Sequence, residues 1–225
     1  MVWKNYIVKQ FDLVDRSTTK ESDIFGAYNT LLHDLFPAAE YYQVTPQFRR
    51  YTGSVEYPIS YVILKREIPI FFVEIKTFLA LNLGSARAAA DDQMRVLFLD
   101  FSSDRLPQSK LIGISAMGTR FAVYEYSTND HRLDPPRAIC YHPNILADTA
   151  PKERWSDDIM EDSGEAKFKA LVNEVKEMAS TIGGVCEYYF LLYFRPFTDQ
   201  HHRTLTYLQG EVVWCCLLRP QSVAL

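Results

Sequence analysis

Along the chain, the first sustained pattern of apolar and polar positions has a helical period, with Phe25, Tyr28, Leu32 and Leu35 on one face. Thr18 and Glu21 stand before it at capping-box spacing, and Pro37 closes it. Residues 1–17 carry a mixed pattern and read as an arm with a short strand around Trp3 to Val8. Three extended segments follow: Glu40 to Thr45, Pro58 to Lys65 and Pro69 to Thr77. The last two are apolar at nearly every position, the signature of strands covered on both faces. Only Arg66-Glu67-Ile68 separates them, which predicts a tight hairpin. Gly84-Ser85 then breaks the chain, with Ser85 as the expected N-cap of a helix over Ala86 to Leu99. Lys110 to Ala116 and Arg120 to Tyr126 read as strands joined by a turn at Met117-Gly118-Thr119. Residues 127–156 are rich in proline and loop-like, and Asp157 to Glu165 reads as a solvated acidic linker or helix start. A last helical face, Phe168, Leu171, Val172, Val175 and Met178, spans Glu165 to Ser180. The chain beyond Gly183-Gly184 is aromatic and shows no assignable period.

The predicted order up to about residue 126 is α-β-β-β-α-β-β. The expected fold is therefore α/β, a central mixed sheet of four or five strands flanked by helices. It divides into an arm (1–17), a core (18–126) and an extension of loop, helix and aromatic residues (127–225) packing on that core.

Composition alters this picture little. The 225 residues are 48% hydrophobic, 23% charged and 14% aromatic, as in an ordinary globular protein with a tyrosine- and phenylalanine-rich core. The net charge of −4 argues against binding polyanions by bulk electrostatics, so any nucleic-acid contact must come from a local patch. Four cysteines, two of them adjacent (Cys215-Cys216), fit neither a disulfide framework nor a CxxC metal site. His201-His202 lacks zinc-ligand spacing. Met1 to Val14 has no signal-peptide pattern, and no stretch reaches the roughly 18 apolar residues that span a bilayer. An intracellular location without membrane insertion is expected, nuclear or cytoplasmic residence being open.

The chemistry concentrates in Phe72-Val73-Glu74-Ile75-Lys76. On a strand, Glu74 and Lys76 project from one face about 7 Å apart. A carboxylate and an ammonium in an apolar central strand must pair with each other or serve a site. An E-x-K on the second arm of a hairpin, after a helix with an early Glu21 and before a helix bearing Gln93, resembles the PD-(D/E)XK nuclease superfamily. Gln93 shares a helical face with Ala86, Ala89, Ala90 and Leu97, the face expected to pack on the sheet.

The resemblance covers residues 18–126 and implies a restriction-endonuclease-like core. It implies metal-dependent hydrolysis of phosphodiester bonds, with Mg²⁺ or Mn²⁺ held by Glu74 and the Ile75 carbonyl. Lys76 would act on the attacking water or the phosphate, with Glu21 and Gln93 completing the catalytic set. Where the family carries its Asp, counted back from Glu74, this chain has Ser60, a weak neutral ligand, preceded by Ile59 rather than Pro. Glu56 is the nearest upstream acid that could substitute. Gln47 to Tyr51 mixes cations with aromatics, so Arg49, Arg50 and Tyr51 are candidates for phosphate or base contact. Each residue also has a plainer reading: Glu21 as the capping-box partner of Thr18, Gln93 as a core-edge amide, Ser60 as a strand serine. The second functional reading follows from Ser60. It is a catalytically inactive member that binds nucleic acid or protein, with the acidic net charge favouring protein.

Overall fold

A computed structural model describes residues 3–48, 59–102, 106–138 and 148–182. The candidates Arg49, Arg50, Tyr51 and Glu56, and the aromatic segment 183–225, lie outside the described residues.

The described chain is α/β. It has four α-helices, α1 (Asn5–Asp12), α2 (Ser22–Leu35), α3 (Gly84–Ser102) and α4 (Asp162–Ser180). The strands are β1 (Tyr42–Phe48), β2 (Ile59–Lys65), β3 (Ile68–Lys76), β4 (Lys110–Met117), β5 (Arg120–Ser127), β6 (Leu133–Asp134) and β7 (Asp157–Asp158). They form one mixed sheet in the order β1-β2-β3-β4-β5-β6, with β7 also on β5. The pair β3/β4 is parallel and every other pair antiparallel. The parallel pair requires the crossover that α3 supplies.

Local chemistry explains most of these elements. Six consecutive residues in each of β2 and β3 are buried, as their unbroken apolar runs predict. Their hairpin turns on Arg66 and Glu67 alone, both in the left-handed region (φ 50° and 66°), and Ile68 already pairs with Lys65. That backbone suits the right-handed twist of the strands. Along β3, Phe71, Val73 and Ile75 join the core cluster of Tyr28 and Leu32 from α2 and Phe168 and Val175 from α4. Phe72 points the other way, among Met94, Phe98 and Phe101 of α3. The alternation therefore sends Glu74 and Lys76 toward the α3 side.

Four expectations need correction. The arm expected as a short strand is helix α1, because Trp3, Ile7 and Phe11 recur every fourth residue and all three are buried. Phe11 meets Tyr28 edge-on at 5.2 Å between ring centroids, and the Trp3 indole donates to the Ile159 carbonyl at 2.7 Å. The sheet is wider than four or five strands because the two-residue strands β6 and β7 form where loop and linker were expected. Helix α3 begins at Gly84, so Ser85 lies inside it rather than capping it. Ala89 faces solvent, and the packed face of α3 runs through Arg87, Ala90, Asp91, Met94 and Leu97.

Candidate functional site

The β2–β3 ladder ends at Tyr61↔Val73, although β2 continues back to Ile59 and β3 onward to Lys76. In the gap, side chains take over from backbone. The Ser60 amide donates to Glu74 Oε2 at 3.0 Å, and the Ser60 hydroxyl donates to the same oxygen at 3.3 Å. The Ile75 amide donates to Ser60 Oγ at 3.1 Å. The Ile75 carbonyl opens on the same edge of β3, since one strand residue directs both backbone groups to one side. Ser60 thus donates and accepts in one position. An ionised Asp there could only accept, and would set another carboxylate directly beside Glu74 Oε2.

The second Glu74 oxygen is held from α3 and from β3 itself. Gln93 Nε2 donates to Oε1 at 2.8 Å, and Lys76 Nζ stands 3.4 Å from it. Lys76 Nζ is also 3.2 Å from Glu21 Oε1. Glu74 is 2% exposed, whereas the Lys76 and Glu21 side chains are 23% and 42% exposed. The structure therefore brings together Glu21, Ser60, Glu74, Lys76 and Gln93, five of the residues singled out from sequence.

Glu21 reaches this cluster because it does not serve as the capping-box partner of Thr18. The Thr18 hydroxyl donates to Asp23 Oδ2 at 2.5 Å and accepts from the Lys20 amide at 3.1 Å. No side-chain cap closes the start of α2. The ammonium of Lys76, set between two carboxylates, is the stronger partner for Glu21.

Burial pushes the Glu74 carboxyl above its ordinary value. The Lys76 ammonium and the Ser60 amide pull it back without cancelling the rise, and Glu21 adds to it. A raised carboxyl means that the folded state holds its proton more tightly than the unfolded chain. Glu74 therefore contributes stability that is complete below the ordinary glutamate pKa and is lost as pH rises through the raised value. Glu74→Gln should flatten that part of the stability–pH curve, as read by urea unfolding at a series of pH values. An unchanged slope would refute the assignment.

Mg²⁺ and Mn²⁺ favour several hard anionic oxygens. Two carboxylates, one hydroxyl and one carbonyl converge, but Glu74 already accepts from Ser60 and Gln93 and pairs with Lys76. An ammonium stands between the two acids. Among the described residues no group of three or more His, Cys, Asp or Glu is placed to hold a metal ion. The residues described do not fit a divalent ion as they stand.

A second polar cluster escaped the sequence reading. Asp91 of α3 is 2% exposed. It accepts from Tyr124 at 2.8 Å and from Arg95 at 2.9 and 3.1 Å, and also from Arg154. The two arginines reach on to the carbonyls of Pro135 (3.0 Å) and Pro136 (3.3 Å). Burial, reinforced by Asp91, pushes the Tyr124 phenol up. The only sequence signal was the i,i+4 spacing of Asp91 and Arg95.

Among the described residues, no helix is long and apolar enough to cross a membrane. Compared with protein-family models, curated proteins and solved structures, the chain shows no match.

Proposed function

We propose that this chain is a PD-(D/E)XK-like domain that keeps the scaffold of the nuclease site but works by binding a protein partner rather than by cutting nucleic acid. One observation carries the reading: Glu74 and Glu21 share the ammonium of Lys76, and Ser60 stands where the family's second metal-binding acid would be. Without that acid the cluster lacks the charge to hold Mg²⁺ or Mn²⁺ against Lys76. The order α2-β1-β2-β3-α3-β4 supports the likeness to the restriction-endonuclease core. The net charge of −4 disfavours a nucleic-acid partner. Val96 and Leu99, exposed one turn apart on α3, suit a protein contact.

A second reading, the metal-dependent nuclease, draws on the convergence of Glu21, Glu74, Lys76 and Gln93. Cleavage assays on single- and double-stranded DNA and RNA, with Mn²⁺, Mg²⁺ or EDTA, separate the two. Lys76→Ala, purified identically, is the control. The expected result is no cutting above that control. Metal-dependent cutting that disappears in Lys76→Ala would establish the nuclease.

A further inference from the structure

We infer that Lys76 is the resident cation of this site, and that Glu21 and Glu74 take up a divalent ion only when its ammonium is removed. The inference rests on the noncatalytic reading above and goes further, because it names what replaces the metal. Oxygens from two carboxylates on different elements, Glu21 at the start of α2 and Glu74 on β3, lie 3.2 and 3.4 Å from one nitrogen. Both acids are thereby neutralised by a tethered charge. A tethered cation loses no translational freedom on binding, so it outcompetes a free ion of low concentration. Gln93 and the Ser60 amide fix the Glu74 carboxylate in the orientation that meets Lys76. The cluster ties α2, β2, β3 and α3 together at one end of the β2–β3 pair.

Removing the ammonium leaves two acids facing one gap, one of them 42% exposed and open to an ion from solvent. Their mutual repulsion then favours an added divalent cation.

The test is calorimetric titration of the full chain with Mn²⁺, together with thermal melts in Mn²⁺ and in EDTA. The wild type is expected to show no saturable heat and the same Tm in both. Lys76→Met should bind Mn²⁺ at least about ten-fold more strongly than the wild type, with a Tm that rises with Mn²⁺. Lys76→Arg, which keeps the charge, should behave as the wild type. Lys76→Met combined with Glu21→Gln should lose the gain. Should Lys76→Met fail to fold by circular dichroism, Lys76→Gln, which keeps a donor toward Glu74, carries the same expectation. Saturable Mn²⁺ binding by the wild type would overturn the inference, as would a folded Lys76 variant with no gain. Mn²⁺ binding by the wild type without cleavage would overturn this inference alone. Cutting in EDTA that is lost in Lys76→Ala would overturn the noncatalytic reading alone.

Discussion

Glu74→Ala is expected to lower the unfolding free energy by about 3 kcal/mol, because it strands several donors in a buried place at once. The Ser60 amide and hydroxyl and the Gln93 amide lose their acceptor, and Lys76 keeps only Glu21. Solvent reaches Lys76, so its share of the cost is screened. The remainder falls on groups beside a residue that is 2% exposed, where water has little access. Glu74→Gln keeps the shape and an acceptor for two of these donors, and should cost about 1 kcal/mol. Urea unfolding of both variants gives the comparison. A Glu74→Ala midpoint indistinguishable from wild type would mean that water already satisfies the cluster.

Asp91→Ala should be at least as damaging, about 3–5 kcal/mol, because it leaves two guanidinium groups and a phenol around a vacated carboxylate. The Arg95 and Arg154 side chains are 15% and 10% exposed, so neither can simply turn into solvent. A loss of this size is a large part of the roughly 5–15 kcal/mol that holds a domain of this kind together. The same change should loosen the segment around Pro135 and Pro136, whose carbonyls the two arginines hold. Limited proteolysis should therefore cut near residues 133–138 faster in Asp91→Ala, and faster than in a Glu74→Ala protein of equal global stability. Equal cutting rates would show that the arginines do not anchor that segment. Among the described residues Glu74 and Asp91 bond to different groups, so their costs should add within about 0.5 kcal/mol in the double variant.

What the sequence determined by itself was the main elements, α2 to α4 and β1 to β5, and their sidedness. The unbroken apolar runs of β2 and β3 can be buried only in the middle of a sheet, and that burial is observed. The helical faces of α2 and α4 follow from spacing alone, since only one face of a 3.6-residue period can meet a core. The glutamate and lysine of β3 had to share a face for the same local reason. Helix α1 was expected as a short strand; the four-residue spacing of Trp3, Ile7 and Phe11 was present, but a segment this short is settled by what it packs against. Only the tertiary structure decided the partners. Glu21 had two equally local options, to cap α2 or to leave it, and the choice fell to Lys76, which comes from a strand 55 positions further along the chain. Ser60 looked like a missing acid; in the fold its hydroxyl donates to Glu74 and accepts from Ile75 across the end of a ladder. Asp91 and Arg154 are 63 positions apart, and nothing in the local pattern of either points to the other. Hydrophobic periodicity is local because each element repeats its own geometry, whereas a charge selects its partner through space once that geometry has been assembled.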